Sequence, residues 1–195
     1  NYPASLTSIV FNGSSLLTGG TRTLYECQIQ RSDLLGQPVI ECPGSVMSIV
    51  PNPISAYIAL GISTGDIVFI DSRNYQIIFS EKFHNHAVDQ ITWANSSSST
   101  DLIFTSARLE NEVIGIDTRM PNVPFAVVET TRKSSRSISL SFGNFDDKHT
   151  LLVGNEESEA KMFDINEEIQ LINDFGEGPT PLAYYNDKKN VIAVA

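Results

Sequence analysis

The stretch VIGID (Val113–Asp117) is a short, mostly apolar run that ends in an aspartate, and the same arrangement returns elsewhere in the chain. IVFID (Ile67–Asp71) and AKMFD (Ala160–Asp164) repeat it, and LYECQ (Leu24–Gln28) occupies the matching place in an earlier part without the aspartate. Short runs of this kind, bounded by Gly, Asn, Ser and Asp, are typical of β-strands. The repetition indicates that one small structural unit is used several times.

Other strand-like runs recur in the same order. The run that opens each unit begins at Ser8, Ser48, Gln90, Ser139 and Leu182, so successive units lie 40, 42, 49 and 43 residues apart. Second and third runs follow in the first four units, and a fourth, weaker run follows in three of them. Four strands in about 40–45 residues predict the blade of a β-propeller. Because a lone four-stranded sheet cannot bury two apolar faces, the units are expected to stack.

The ends of the third runs resemble the WD40 type of blade. Ile70, Ile116 and Phe163 stand where that repeat has the tryptophan of its Trp-Asp dipeptide. His84 lies four residues before an apolar strand, at the place of the histidine in the Gly-His dipeptide. In WD40 blades this histidine joins a buried hydrogen-bond network, so its expected role here is structural. The aspartates with the same expected role are Asp71, Asp117 and Asp164.

This resemblance implies an all-β, WD40-type β-propeller, with about four to five blades in this chain as part of a seven-bladed ring. We expect one incomplete propeller domain over residues 1–195. Its blade-like repeats are expected at about 8–45, 46–87, 88–135, 136–179 and, in part, 180–195.

Composition and charge narrow the classes of function. The chain has 13 Lys and Arg residues against 23 Asp and Glu residues, a net charge of −10. An acidic domain presents no general basic field to nucleic acid, so an RNA contact needs a local basic patch. No apolar run of about 18 residues is present, and no membrane partner is expected. Cys27 and Cys42 lack zinc-site spacing, which favours two free thiols in a reducing compartment over a disulfide.

The stretch from Ser106 to Arg119 resembles a motif of the telomerase Cajal-body WD-repeat protein family. Arg22 and Thr23 are similar to the opening of that family's first unit, Arg136 matches a basic position further along, and Ile116 replaces the family's tryptophan. The resemblance implies a nuclear protein of the fungal pre-mRNA-splicing branch, with small nuclear ribonucleoprotein or spliceosomal proteins as partners. Whether small nuclear RNA is touched directly stays open. The matching residues are Ser106, Ala107, Arg108, Glu110, Val113, Ile114, Asp117 and Arg119.

Arg108 and Arg119 are the first candidates for partner or RNA binding. Planar guanidinium groups on loops suit bidentate contacts to phosphate groups and bases. In the alternative interpretation each arginine pairs with a nearby acid, for example Glu110 or Glu112, and fixes its own turn. The sequence leaves both interpretations open.

Arg132, Lys133 and Arg136 form the densest basic cluster, in the stretch TTRKSSRS. On a loop before a strand, such a cluster can grip a phosphate backbone. A solvated loop without a partner is the alternative interpretation.

A rival function rests on the stretches IDSR and IDTR, in which Arg73 and Arg119 follow an aspartate by two residues. The pattern resembles the WD-x-R box by which some WD40 proteins dock to the adaptor of a cullin-ring ubiquitin ligase. The two arginines lie 46 residues apart, in adjacent units, as in those receptors. This resemblance implies a substrate receptor.

The sequence contains no catalytic constellation. His84 and His86 alone make a poor zinc site, and neither a GxSxG elbow nor a P-loop occurs. We therefore expect no metal, no cofactor and no enzymatic activity. The leading hypothesis is a non-catalytic nuclear scaffold in ribonucleoprotein assembly, for pre-mRNA splicing or small nuclear ribonucleoprotein biogenesis.

Overall fold

The computed structural model describes residues 6–29, 34–94, 101–130, 138–145, 148–155, 160–165, 169–174, 183–186 and 191–194. Within these ranges the regular structure is β-strand. The part of the chain that the structure describes contains no candidate membrane-spanning helix.

The first two sheets each contain four strands, and every strand pairs antiparallel with the next along the chain. The first sheet consists of β1 (Ser8–Asn12), β2 (Ser15–Gly19), β3 (Thr23–Ile29) and β4 (Leu34–Glu41). The second sheet consists of β5 (Val46–Pro51), β6 (Tyr57–Ile62), β7 (Asp66–Asp71) and β8 (Ile77–Lys82).

The next two sheets repeat this strand order, and a two-stranded sheet follows them. The third sheet consists of β9 (Val88–Trp93), β10 (Leu102–Ala107), β11 (Glu112–Asp117) and β12 (Ala126–Glu129). The fourth sheet consists of β13 (Ile138–Phe145), β14 (Lys148–Asn155), β15 (Ala160–Asp164) and β16 (Gln170–Asp174). The fifth sheet consists of β17 (Ala183–Asn186) and β18 (Val191–Val194).

The inner strands of the second sheet are buried on both faces, as stacking units require. In β6 and β7, five consecutive residues are buried, so side chains on both faces of the second sheet are covered. A strand with one wet face would alternate between buried and exposed residues instead. The expectation that apolar strands stack sheet on sheet is confirmed.

The chain divides into two compact units, Asn1–Ile91 and Thr92–Ala195. In the first unit, Leu17 and Leu24 of the first sheet share one apolar core with Ile58 and Ile70 of the second. In the second unit, Phe104 of the third sheet shares a core with residues of the fourth sheet, Ile138 and Leu151 among them. The predicted single domain and its blade boundaries stay predictions.

Cys27 and Cys42 are free thiols, as the cysteine spacing favoured, and both are buried. Burial, with a smaller contribution from the Glu41 carboxylate, raises the pKa of Cys42 to about 11. The thiol is therefore protonated at neutral pH and chemically quiet.

Candidate functional site

The third strand of the second sheet ends in a turn that holds an arginine against an aspartate. Asp71 is the last residue of β7, and the Arg73 backbone N–H donates to its Oδ1 atom at 2.9 Å. The side chain returns to the same carboxylate, because Arg73 Nε donates to Oδ1 at 2.9 Å and Nη2 donates to Oδ2 at 2.5 Å. This is a bidentate fork, the strongest form of an Arg–Asp contact.

The third sheet repeats this turn with the same geometry. Arg119 donates to Asp117 Oδ1 through its backbone N–H and through Nε, both at 2.9 Å, and to Oδ2 through Nη2 at 2.5 Å. Asp101 adds a longer contact, 3.9 Å from its Oδ2 atom to Arg119 Nε. The acids that contact Arg119 in its own turn are Asp117 and Asp101. Whether Arg119 also binds a partner stays a prediction.

Each fork places a guanidinium group at the surface and its carboxylate beneath it. The Arg73 side chain is 74% exposed, whereas that of Asp71 is 13% exposed. The side-chain hydrogen bonds from Arg73 lower the pKa of Asp71 to about 2, and those from Asp71 raise the pKa of Arg73. Arg119 lowers the pKa of Asp117 in the same way. The arginines are therefore oriented before any partner arrives, and their remaining N–H groups point away from the aspartate.

We expect stability to depend on pH through the Asp71 fork. Because the folded pKa of Asp71 is about 2, below its usual 3.8, the folded chain binds fewer protons than the unfolded chain between these values. The stabilisation is present above pH 3.8 and is lost as the pH falls through about 2. The thermal midpoint of wild type should therefore fall more steeply from pH 4 to pH 2 than that of Asp71→Asn. Parallel curves for the two proteins would contradict a fork of this strength.

The third structural aspartate has a different cation. Asp164 ends β15, and Lys148 Nζ at the start of β14 lies 3.5 Å from its Oδ2 atom. The residue two positions after Asp164 is Asn166, so the D-x-R turn is a feature of two of the three aspartates.

Arg108 and Arg119 lie at opposite ends of the third sheet. Arg108 follows β10 in the turn to β11, whereas Arg119 follows β11. The register pairs Ser106 with Val113 at one end and Leu102 with Asp117 at the other. At about 3.3 Å per residue, the two turns are separated by roughly the length of a strand, about 17 Å. The two arginines therefore cannot hold one small group together.

Among the remaining candidate residues, the two histidines lie in the described part of the chain and the basic cluster does not. His84 is buried, and its backbone N–H donates to the Gly65 carbonyl oxygen at 3.1 Å, which ties the connection after β8 to the β6–β7 turn. His86 is exposed, and the described residues contain no group of three side chains able to hold a metal. The basic cluster of Arg132, Lys133 and Arg136 lies outside the described residues.

A polar cleft of about 650 Å³ adjoins the Arg73 turn, between the first and second sheets. Tyr75 lines it with a left-handed backbone, at a φ of 57°, and its hydroxyl bonds to Glu26, Asn12 and Ser15 of the first sheet. Burial and the Glu26 carboxylate raise the pKa of Tyr75 to about 12. The D-x-R turn of the second sheet is thus fastened to the first sheet by a neutral tyrosine.

A second cleft, of about 530 Å³, adjoins the Arg119 turn and has apolar walls. Neither cleft was predicted from the sequence. The polar cleft is lined by residues that are distant in sequence, and the apolar cleft depends on which apolar residues remain exposed after folding. One signal was available: MPNVPF, after Arg119, places four apolar side chains and an aromatic ring in a turn that cannot be a regular strand because of its two prolines. The Tyr75 contact to Glu26 had no such local signal.

Known structures share this arrangement of sheets. A chain in the crystal structure of the mitotic checkpoint complex matches 98% of this chain with a TM-score of 0.75 and 11% sequence identity. The fold is a WD40-type β-propeller. At this identity the likeness shows the WD40 fold alone, and this chain spans about 57% of the length of the chain that it matches. No protein-family model and no curated protein matches the sequence.

Proposed function

We propose that this WD40 chain is a non-catalytic scaffold in nuclear ribonucleoprotein assembly, acting in pre-mRNA splicing or small nuclear ribonucleoprotein biogenesis. The observation that supports a scaffold is the repeated turn in which a largely buried aspartate presents an oriented, exposed arginine. Oriented guanidinium groups bind partners at a low cost in side-chain entropy, and WD40 loops on rigid sheets suit docking. The nuclear and splicing assignment rests on the sequence resemblance around Ser106 to Arg119.

The charges at the forks favour protein over RNA as the group bound there. Arg119 faces two carboxylates, Asp117 and Asp101, and the whole chain carries a net charge of −10. A phosphate approaching Arg119 would meet more negative than positive charge. If the scaffold touches small nuclear RNA, the contact belongs to Arg108 or to the basic cluster of Arg132, Lys133 and Arg136.

One observation favours a second candidate, a substrate receptor of a cullin-ring ubiquitin ligase. Arg73 and Arg119 form the same fork, with the same distances, on successive sheets. A docking motif that occurs in two turns requires the same arginine geometry in both. In this candidate the ligase adaptor is the partner that the arginine turns bind.

A pulldown from nuclear extract separates the two candidates. Tagged wild-type protein is expected to recover small nuclear RNA or its core proteins, whereas recovery of the ligase adaptor without them would overturn the ribonucleoprotein proposal. Alanine at both Arg73 and Arg119 should reduce recovery of the protein partner at least about tenfold, as truncation of a central arginine at an interface does. Lys82→Ala, at the exposed end of β8, is the matched control and should leave recovery unchanged.

RNA contact is tested by alanine at Arg132, Lys133 and Arg136 together. If these side chains touch phosphate, RNA association should weaken, and the slope of log affinity against log salt concentration should become shallower by about one for each phosphate no longer neutralised. The measurement is RNA retention on the immobilised protein over a series of salt concentrations. Unchanged retention would assign the RNA to Arg108 or to a protein partner.

A further inference from the structure

The turn after Arg119 exposes a group of apolar side chains that a folded surface normally covers. Met120 is 75% exposed, Val123 is 70% exposed and Phe125 is 44% exposed. With Pro121 and Pro124 they line the cleft of about 530 Å³ next to the fork, which we call the Arg119 cleft. Exposed apolar residues that cluster, rather than occurring singly, mark interaction surfaces.

Contacts on the third sheet hold this turn in place. The Phe125 backbone N–H donates to the Gly115 carbonyl oxygen at 3.0 Å, and the Met120 N–H donates to that of Asp117 at 3.0 Å. The Phe125 ring packs edge-on against buried Phe104, with ring centroids 5.8 Å apart. The cleft is therefore formed before binding, so a ligand orders little of the chain when it enters.

The charges beside the Arg119 cleft indicate which class of ligand it binds. The fork leaves N–H groups of Arg119 free of Asp117, and these can donate to an acceptor on a ligand. Asp117 and Asp101 together outweigh the positive charge of Arg119, so a neutral peptide carbonyl is a better acceptor than a carboxylate or a phosphate. The same excess of acid, in a chain of net charge −10, attracts cationic flanking residues.

We propose that the Arg119 cleft binds an extended, basic and apolar segment of a partner protein. A large apolar side chain of the segment packs against Met120 and Val123, a backbone carbonyl accepts from Arg119, and a lysine or arginine faces Asp101. The proposal rests on the scaffold part of the proposed function and names the chemistry of its partner; it does not depend on the ribonucleoprotein assignment.

The Arg73 turn allows a comparison within the same molecule. Its fork is the same, but the adjoining cleft is lined by polar groups, Asn12, Ser14 and Gln28 among them. If the arginine fork alone determined binding, the segment would bind equally at both turns. If the apolar walls are required, the segment binds at the Arg119 turn.

The test is selection from a library of random peptides of about 12 residues displayed on phage, panned against the whole chain. Enriched peptides should combine Leu, Phe or Trp with Lys or Arg. Each should bind at least about tenfold more weakly to the Met120→Ser, Val123→Ser double variant, and several-fold more weakly to Arg119→Ala. Lys82→Ala, at the exposed end of β8, should bind within about twofold of wild type, and rising salt should weaken binding.

Three outcomes would overturn the proposal: enrichment of acidic peptides, affinities that the double variant does not change, or no enrichment above a blank surface. Met120 and Val123 are exposed, so their replacement should leave the thermal midpoint unchanged, and that measurement excludes misfolding as the cause of weaker binding. Failure here would leave the nuclear pulldown unaffected. If the cleft binds peptides but the pulldown recovers neither small nuclear RNA nor its core proteins, the cleft proposal stands. The ribonucleoprotein assignment is then overturned.

Discussion

Gly65→Ala is expected to destabilise the first unit by about 3 kcal/mol or more, because both the backbone and the packing require glycine. Gly65 lies in the β6–β7 turn at a φ of 93°, where an L side chain is strained. A Cβ atom added there would lie 1.9 Å from the His84 carbonyl oxygen and 2.6 Å from its carbonyl carbon. Both atoms are backbone, so neither can rotate away, and the connection that carries buried His84 would have to move.

Gly13→Ala is the matched control for this substitution. Gly13 also has a left-handed backbone, at a φ of 61°, but no atom lies within 4 Å of the position of an added Cβ. Its replacement should therefore cost only the strain of the backbone, about 1–2 kcal/mol. The difference between the two variants isolates the clash with His84.

Thermal unfolding followed by far-ultraviolet circular dichroism measures both variants. For a chain of this size each kcal/mol lowers the midpoint by about 2–4 °C, so Gly65→Ala should unfold at least about 6 °C below wild type. Equal midpoints for Gly65→Ala and Gly13→Ala would show that the turn does not pack against His84.

Phe104→Ala is expected to destabilise the second unit by about 3–5 kcal/mol, the usual cost of emptying a buried aromatic site. Phe104 is fully buried and belongs to the core shared by the third and fourth sheets. Its ring also supports Phe125 at a centroid distance of 5.8 Å and an interplanar angle of 71°. The variant should therefore lose binding at the Arg119 cleft as well as stability.

Phe125→Ala separates these two effects. Phe125 is partly exposed, so its removal should cost less stability than that of Phe104 while deleting a wall of the cleft. A double-mutant cycle between Phe104 and Phe125 should give a coupling of about 0.5–1.5 kcal/mol, the usual strength of an edge-to-face pair. Strict additivity would mean that the two rings do not support each other.

Trp93 is a convenient probe for the second unit. It is the single tryptophan of the chain, it is buried, and it ends β9. Chemical unfolding of Phe104→Ala can be followed by its fluorescence and by circular dichroism together. Coincident curves would show that the two units unfold as one, and separate curves would give each unit its own stability.

The sheets were predictable because each blade repeats a short, local pattern. Alternation of apolar runs and turn residues located four strands in three of the first four units. In the first unit it located three strands and missed β4 (Leu34–Glu41). Ile70 and Ile116 hold the position of the missing tryptophans and are fully buried, as a core position requires. The two D-x-R stretches were visible in the sequence, but the fork between Asp117 and Arg119 was not predicted there and comes from the structure.

The candidate site was less predictable because binding surfaces depend on contacts between distant parts of the chain. The motif that suggested Arg108 and Arg119 as a pair is continuous in sequence, yet β11 carries Arg119 to the opposite end of the sheet. Tyr75 contacts Glu26 across 49 positions of the sequence. No local pattern specifies such a contact.

The amino-acid order alone thus determined an all-β chain of repeated sheets. It also determined two turns in which arginine follows aspartate by one intervening residue. Both follow from the order of residues because strand pairing between successive runs and the Asp–Arg fork are local interactions. Only the tertiary structure decided that Arg119 faces two carboxylates, that Met120 and Val123 remain exposed beside it, and that Arg108 lies elsewhere. Burial, net local charge and the end of a sheet at which a turn lies arise when strands pair and sheets stack, and a residue's neighbours in the sequence do not specify them.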